Sequence, residues 1–160
     1  MENKTIQTQF TLYPSIAELP TEDLHLMKAA QKAILNAYAP YSNFQVGAAL
    51  LLENGTIVTG NNQENAAYPS GMCAERVAIW NASSQFPGIA IKKIAITVKS
   101  KLKQVSKPVS PCGACRQTLL EYEVNQKTPI EVFFTGEVGV VIKAHSLSDL
   151  LPFAFDQSFL

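Results

Sequence analysis

Three cysteines in two short motifs constrain this chain more than any other feature of its sequence. Cys73 begins a Cys-x-Glu motif that ends at Glu75, and Cys112 and Cys115 form a Cys-x-x-Cys motif. A structural zinc site normally takes four protein ligands, so three thiolates leave one coordination position open to water. A glutamate two residues after the first cysteine can move the protons of that water. The pattern therefore indicates metal-assisted hydrolysis rather than a structural zinc site.

Other interpretations of these motifs stay open at this point. The Cys-x-x-Cys spacing alone is equally compatible with a zinc site, a redox dithiol and a coincidence. A redox dithiol needs neither Cys73 nor Glu75, and a zinc-stabilised interaction module would need a fourth ligand. The histidines at 25 and 145 are expected on the surface, and Trp80 is expected in the core.

The charge around three thiolates predicts a role for the residue after the glutamate. Three thiolates and one Zn²⁺ carry a net charge of −1, which weakens the metal as a Lewis acid. Two features can offset this excess: the N-termini of helices, where both motifs are expected to lie, and the neighbouring Arg76. We therefore expect Arg76 to donate hydrogen bonds to the thiolate sulfurs without binding the metal itself.

The balance of charges excludes a broad nucleic-acid surface. The chain has 13 Lys and Arg against 13 Asp and Glu, so it lacks the basic excess that neutralises phosphates. We expect a small, uncharged substrate, no nucleic acid and no membrane, since no apolar stretch approaches the roughly 18 residues of a span. An odd number of cysteines and the absence of an apolar leader favour a reducing cytoplasm.

The hydrophobic pattern predicts three helices and five strands in the order α-β-β-α-β-α-β-β, which favours the α/β class. Residues 1–20 are expected to be a loose N-terminal arm, and residues 21–160 a single domain. Thr21 is the expected N-cap of the first helix, and the Asn54-Gly55 dipeptide predicts a hairpin. The helices are expected at about 21–37, 73–85 and 113–122, and the strands at about 46–52, 56–59, 91–98, 130–134 and 138–143.

Several motifs in one order resemble the cytidine deaminase family, in its short single-domain form, over about residues 24–155. The resemblance implies a three-layer α/β/α fold with a mixed five-stranded sheet. It also implies zinc-dependent hydrolytic deamination of cytidine and 2′-deoxycytidine to uridine and 2′-deoxyuridine, with release of ammonia, in pyrimidine salvage. The motifs are Tyr38–Phe44 with Val46–Ala49, Gly60–Tyr68, Cys73–Arg76 and Pro111–Gln117.

The resemblance assigns the metal chemistry to four residues. Cys73, Cys112 and Cys115 would bind one Zn²⁺ per chain, and Glu75 would shuttle protons between water, base and leaving ammonia.

The remaining roles implied by the resemblance concern the nucleoside and the assembly. Asn62 and Glu64 would bind the ribose hydroxyls, Phe44 would pack against the pyrimidine, and the backbone at Ala74 and Ser110 would contact the base edges. Short members of the family are homotetramers, which places Phe155 and Tyr41 near subunit contacts. Two other substrates are weighed against the nucleoside: a different small aminopyrimidine, and a base within RNA or DNA.

Overall fold

A six-stranded sheet with helices on both faces forms the body of the computed structural model, which describes residues 1–160. Residues 1–20, expected to be a loose arm, contribute the first of these strands. In chain order the elements are β1 (Phe10–Tyr13), α1 (Thr21–Ala33), β2 (Phe44–Leu52), β3 (Ile57–Asn61), α2 (Ala74–Gln85), β4 (Ile91–Ser100), α3 (Gly113–Gln126), β5 (Glu131–Thr135) and β6 (Val141–Ala144).

The strand order is β1-β6-β5-β4-β2-β3, with β4 and β5 parallel and every other neighbouring pair antiparallel. The expected mixed sheet is thus confirmed, but the prediction of five strands was wrong. The additional strand is β1, which pairs with β6 from Phe10 opposite Ala144 to Tyr13 opposite Val141. Four residues are too few for an alternating pattern to stand out, and this strand's partner lies at the far end of the chain.

Strand β2 shows how the sheet separates two cores. Ala48, Leu50 and Leu52 pack into the larger core with α2 and α3. Ala49 and Leu51 pack into a smaller core with α1, because successive side chains on a strand point to opposite faces. The three-layer α/β/α arrangement expected from the resemblance is therefore confirmed.

The predicted hairpin joins β2 to β3. The amide of Leu52 donates to the carbonyl of Thr56 at 2.9 Å, which closes a three-residue loop. Gly55 is the last loop residue and has a φ of 83°, a left-handed conformation that favours glycine. A local signal was sufficient here because a three-residue hairpin is determined by the turn itself.

The helix ends differ from the prediction in two places. The first helix has Thr21 as its first helical residue, with Pro20 as N-cap, and its last turn, Ile34–Asn36, is a 3₁₀ helix. The third helix continues to Gln126, one turn beyond the predicted end. Its last turn contains Glu123, a buried carboxylate that accepts hydrogen bonds from the amides of Ile130 and Leu147 at 2.8 Å each.

Gly60 on β3 lets the first turn of α2 approach the sheet closely. A Cβ atom at this position would lie 2.5 Å from the carbonyl oxygen of Ala74 and 2.5 Å from the amide nitrogen of Ala78. The backbone of α2 therefore packs directly on the strand, and the start of α2 lies beside the end of β3. None of the helices combines the length and the hydropathy needed to cross a membrane.

Candidate active site

The three cysteines meet where two helices begin. Cys73 is the N-cap of α2 and Cys112 is the N-cap of α3, as the sequence predicts, and Cys115 lies in the first turn of α3. Their three sulfur atoms all lie within 4.8 Å of one another. Cys115 is fully buried and Cys112 is exposed, so the group lies between the core and solvent.

The donor set fits one zinc ion. Zinc–sulfur bonds are about 2.3 Å long, so tetrahedral coordination separates the sulfurs by about 3.8 Å, which is compatible with their spacing. A hydrogen bond from the Cys115 thiol, reinforced by the Arg76 guanidinium, lowers the pKa of Cys73 to about 5 although burial opposes the shift. The same bond raises the pKa of Cys115, whose proton it holds. The site thus favours a thiolate at Cys73 even before a cation neutralises it.

Glu75 lies in the first turn of α2 and is only 5% exposed. Burial raises the pKa of its carboxyl, and the neighbouring Cys73 thiolate raises it further. Glu75 shares a cavity wall with Cys73 and Cys112, which places its carboxyl beside the sulfur cluster. A carboxyl with a raised pKa is suited to accepting and donating a proton near neutral pH.

Arg76 also contacts the cluster. Its Nη2 atom donates to Sγ of Cys73 at 3.5 Å, the kind of contact that the sequence predicts. The Cζ atom lies 6.0 Å from the centre of the Trp80 ring. Trp80 is 43% exposed, so its expected place in the core was wrong. The indole instead covers the guanidinium from the solvent side of the helix.

A cavity of about 740 Å³ opens beside the cluster. Its walls come from the start of β2, the end of β3, the loop before α2 and the segment before α3. Most of the residues predicted for the site line it, and the set is Phe44, Asn62, Glu64, Cys73, Glu75, Arg76, Ser110 and Cys112. This volume suits a small ligand rather than a polymer.

Asn62 and Glu64 are both engaged by backbone groups. The Asn62 amide accepts from the Val46 amide at 2.8 Å and donates to the Phe44 carbonyl at 2.9 Å. The Glu64 carboxylate accepts from the amides of Tyr41 and Ser42 at 2.9 and 3.2 Å. Burial would raise the pKa of Glu64, but these bonds and one from the Ser42 hydroxyl outweigh it and lower the pKa.

The structure separates the other predicted residues from this group. Ala74 is fully buried and is not among the residues that line the cavity. Phe155 is 58% exposed and also lies outside the lining, whereas Tyr41, 48% exposed, is part of it. Both histidines are exposed and contribute nothing to the sulfur cluster.

Among the lining residues that were not assigned from the sequence, two make contacts that hold the predicted residues in place. Ser42 binds Glu64 through its amide and its hydroxyl, and Tyr68 contacts Tyr41 edge to face, with ring centroids 6.2 Å apart. The sequence does carry a signal beside Ser42: the next residue, Asn43, has a φ of 55° and turns the chain into β2. An Asn before a strand marks such a turn, but it does not show which side chain the turn will hold.

Comparisons with known proteins agree with this geometry. Residues 20–129 match the family model described as the cytidine and deoxycytidylate deaminase zinc-binding region. The chain is 40% identical over 131 residues to a cytidine deaminase of Halalkalibacterium halodurans, which covers 81% of this chain and 91% of the relative. It is 43% identical over 136 residues to a cytidine deaminase of Sporosarcina psychrophila, covering 84% and 92%.

Solved structures show the same relationship. A crystal structure of cytidine deaminase from Burkholderia pseudomallei superimposes with a TM-score of 0.67 at 41% identity, covering 82% of this chain and 97% of that one. The cytidine deaminase of Mycobacterium tuberculosis gives a TM-score of 0.63 at 32% identity, covering 82% and 94%. The sulfur cluster, the fold and these matches agree, and the chain belongs to the cytidine and deoxycytidylate deaminase family, with its three cysteines forming the zinc-binding group.

Proposed function

We propose that this chain catalyses the hydrolytic deamination of cytidine and 2′-deoxycytidine to uridine and 2′-deoxyuridine, with release of ammonia, in pyrimidine salvage. The observation that carries the proposal is the position of Glu75. Its buried carboxyl lies between a three-sulfur zinc group and a cavity of nucleoside size. The relatives at 40 and 43% identity, both cytidine deaminases, support the same reaction.

The proposed reaction divides the work between one metal and the residues of this chain. Cys73, Cys112 and Cys115 would hold one zinc ion, which would supply Lewis acidity to activate a water molecule. Glu75 takes one proton from water and passes it to the ring nitrogen next to the amino-bearing carbon, while the water oxygen bonds to that carbon. Glu75 then moves the second water proton to the amino group, whose bond to the carbon breaks to release ammonia. The raised pKa of Glu75 supports this double task.

The cavity walls account for the choice of a nucleoside. We assign Asn62 and Glu64 to the sugar hydroxyls, because each keeps lone pairs or protons beyond those used by the backbone. Phe44 packs against the pyrimidine, and the backbone at Ser110, which lines the cavity, contacts the base edge. Arg76 is the one cationic residue among those lining the cavity, and it is directed at Cys73. This lack of a free cation favours a nucleoside over its phosphate.

Three further assignments belong to the same proposal. Residues 21–160 form the body of the catalytic domain, and the N-terminal arm before them adds strand β1 to its sheet. The enzyme works as a homotetramer, with Tyr41 and Phe155 near the subunit contacts; their exposure, 48% and 58%, supports this. The cytoplasm is its compartment, which is supported by three cysteines that form no disulfide.

The first experiment tests the reaction and Glu75 together. Protein loaded with zinc should convert cytidine to uridine, and Glu75→Gln should lower kcat by about 10²- to 10⁴-fold, because it removes the proton shuttle. Zinc content, measured on both proteins, should stay at one ion per chain, since Glu75 is not a ligand. Full activity in the Glu75→Gln protein would exclude the proposed role.

A second experiment separates an open metal site from a structural one. Mild chelation should abolish deamination before it changes the far-ultraviolet circular dichroism, because neither hydrophobic core contains one of the three cysteines. Loss of fold at the same chelator concentration as loss of activity would favour a zinc-stabilised module instead. A panel of cytidine, cytosine, cytidine monophosphate and a short oligonucleotide then identifies the substrate class.

A further inference from the structure

Arg116 makes three hydrogen bonds that join different parts of the molecule. Its Nε atom donates to the carbonyl oxygen of Pro111 at 2.8 Å. Its Nη2 atom donates to the hydroxyl of Ser110 at 2.8 Å, and its Nη1 atom donates to the carbonyl oxygen of Leu150 at 2.9 Å. Hydrogen bonds from a guanidinium are stronger than neutral ones, and its planar fork fixes their directions.

Two of these acceptors belong to the wall of the active site. Ser110 lines the cavity, and Pro111 immediately precedes Cys112, which lines the cavity and belongs to the sulfur cluster. The third acceptor, Leu150, ends a 3₁₀ turn and is packed into the larger core, where it is 8% exposed. The guanidinium therefore connects the site wall to a fixed part of the core.

The segment 108–112 has few other restraints. It forms no helix or strand, and its two prolines, Pro108 and Pro111, have no amide proton. The one hydrogen bond that its backbone amides donate runs from Val109 to the carbonyl of Thr135, and it is long, at 3.4 Å. The carbonyl of Cys112 also accepts from the Arg116 amide at 2.9 Å, so the two side-chain bonds from Arg116 are half of the hydrogen bonds on this segment.

We propose that Arg116 is a positioning residue that holds Ser110 and the Pro111–Cys112 peptide in place for substrate and metal. This inference rests on the proposed function for its kinetic consequences, but not for its structural ones. Arg116 does not line the cavity, so it acts on the substrate through the segment that it holds. The turn at Leu150 contributes to the same positioning, because its carbonyl binds the guanidinium and its side chain is packed in the larger core.

The test compares wild type with Arg116→Lys, which keeps the charge but not the planar fork. In zinc-loaded protein, hydrogen exchange of the peptide covering 108–112 should become faster by about tenfold or more, because restraining bonds are lost. The KM for cytidine should rise by a similar factor, while zinc stays at one ion per chain. A role that needs only positive charge predicts that the lysine variant behaves as wild type.

Gln126 provides a matched control at the opposite end of α3. Its amide also makes three hydrogen bonds, with the amide and carbonyl of Ile91 and with the carbonyl of Thr128, at 2.8 to 2.9 Å. Gln126→Ala should lower the melting temperature without changing KM or the exchange of residues 108–112. An equal rise in KM for this variant would show that any loosening of α3 is sufficient, and would overturn the proposal.

A second variant keeps the proposal testable if Arg116→Lys does not fold. Ser110→Ala removes one acceptor and leaves the bonds to Pro111 and Leu150 intact, so it should fold and still speed the exchange of residues 108–112. Unchanged exchange in Ser110→Ala would overturn the proposal. Hydrogen exchange can be measured whether or not cytidine is a substrate. A wild-type protein without deaminase activity would therefore contradict the proposed function, while the exchange of residues 108–112 would still test the positioning role of Arg116.

Discussion

Asn62 has two tasks, of which the sequence indicated only one. The resemblance assigned it to the sugar, yet its amide also joins the end of β3 to the start of β2 through Val46 and Phe44. At 9% exposed, it has few alternative partners in water. A single side chain therefore shapes the cavity wall and offers its remaining hydrogen-bonding groups to the ligand.

Replacement of Asn62 by alanine should affect stability as well as binding. Two part-buried backbone groups, the Val46 amide and the Phe44 carbonyl, would lose their partners, at a cost of about 1 kcal/mol in the free energy of unfolding. Urea denaturation measures this loss, and the KM for cytidine should rise in the same protein. Asn125→Ala, at an exposed helix position whose amide contacts only Glu121, is the control and should leave both quantities unchanged. A wild-type urea midpoint for Asn62→Ala would show that the amide has no structural task.

At the level of secondary-structure elements, the first turn of α2, which carries Glu75, packs on β3. Gly60 allows it, because any side chain there would meet the helix backbone within 2.5 Å. Gly60→Ala should lower the free energy of unfolding by about 1–3 kcal/mol, the usual cost of overpacking. Gly113→Ala is the matched control, since a Cβ there has no neighbour within 4 Å. Equal melting temperatures for the two variants would contradict the proposed close packing.

An ion cluster joins α1 to the sheet. Lys93 on β4 donates to Asp23 at 2.6 Å and to Glu22 at 2.5 Å, and Asp23 is only 5% exposed. Burial would lower the pKa of Lys93, but the bonds to these two carboxylates outweigh it and raise the pKa. The bond from Lys93 lowers the pKa of Glu22. The cluster therefore stabilises the fold while Lys93 is charged and Glu22 is ionised.

The pH dependence of stability follows from these directions. Lys93→Met should lower the free energy of unfolding at neutral pH, by about 2 kcal/mol for the bonds to the buried Asp23. The deficit should shrink as pH falls below about 4, through the lowered pKa of Glu22, and as pH rises above about 10.5, through the raised pKa of Lys93. Thermal melts of both proteins from pH 3 to 11 test this, and a deficit independent of pH would refute it.

Local signals were sufficient for some elements and not for others. The starts of α2 and α3 and the turn at Gly55 follow from neighbouring residues, and the structure contains all three. The end of α3 could not be predicted from neighbouring residues. Its last turn contains Glu123, whose sequence context is that of a surface residue, and its partners lie in the distant 146–148 loop. Likewise, the restraint supplied by Arg116 depends on Leu150, which no local pattern connects to it.

In the whole molecule, β1 completes the sheet from outside the region matched by the family model, which begins at residue 20. Tyr13 packs against the smaller core, and the hydroxyl of Thr11 lies 3.1 Å from Nε2 of His145, just after β6. The strand therefore contributes contacts to both the sheet edge and the core on the α1 side.

Deletion of residues 1–14 should lower the free energy of unfolding by about 1–3 kcal/mol, since one partly buried aromatic side chain and one strand pairing are lost. Hydrogen exchange in residues 141–144 should become faster, because β6 becomes the edge of the sheet. Deletion of residues 1–9, which precede the strand and are exposed, is the control and should change neither quantity. Equal effects of the two deletions would contradict a stabilising role for β1.

The pairing of β1 with β6 also orders events during synthesis of the chain. Thr11 and His145 are separated by 134 positions, so β1 leaves the ribosome long before its partner β6 has been made. Closing so long a loop is entropically costly, and it becomes favourable only after the sheet from β2 to β6 exists as a template. We therefore expect the N-terminal segment to dock only after the chain has been translated past Ala144, the last residue of β6.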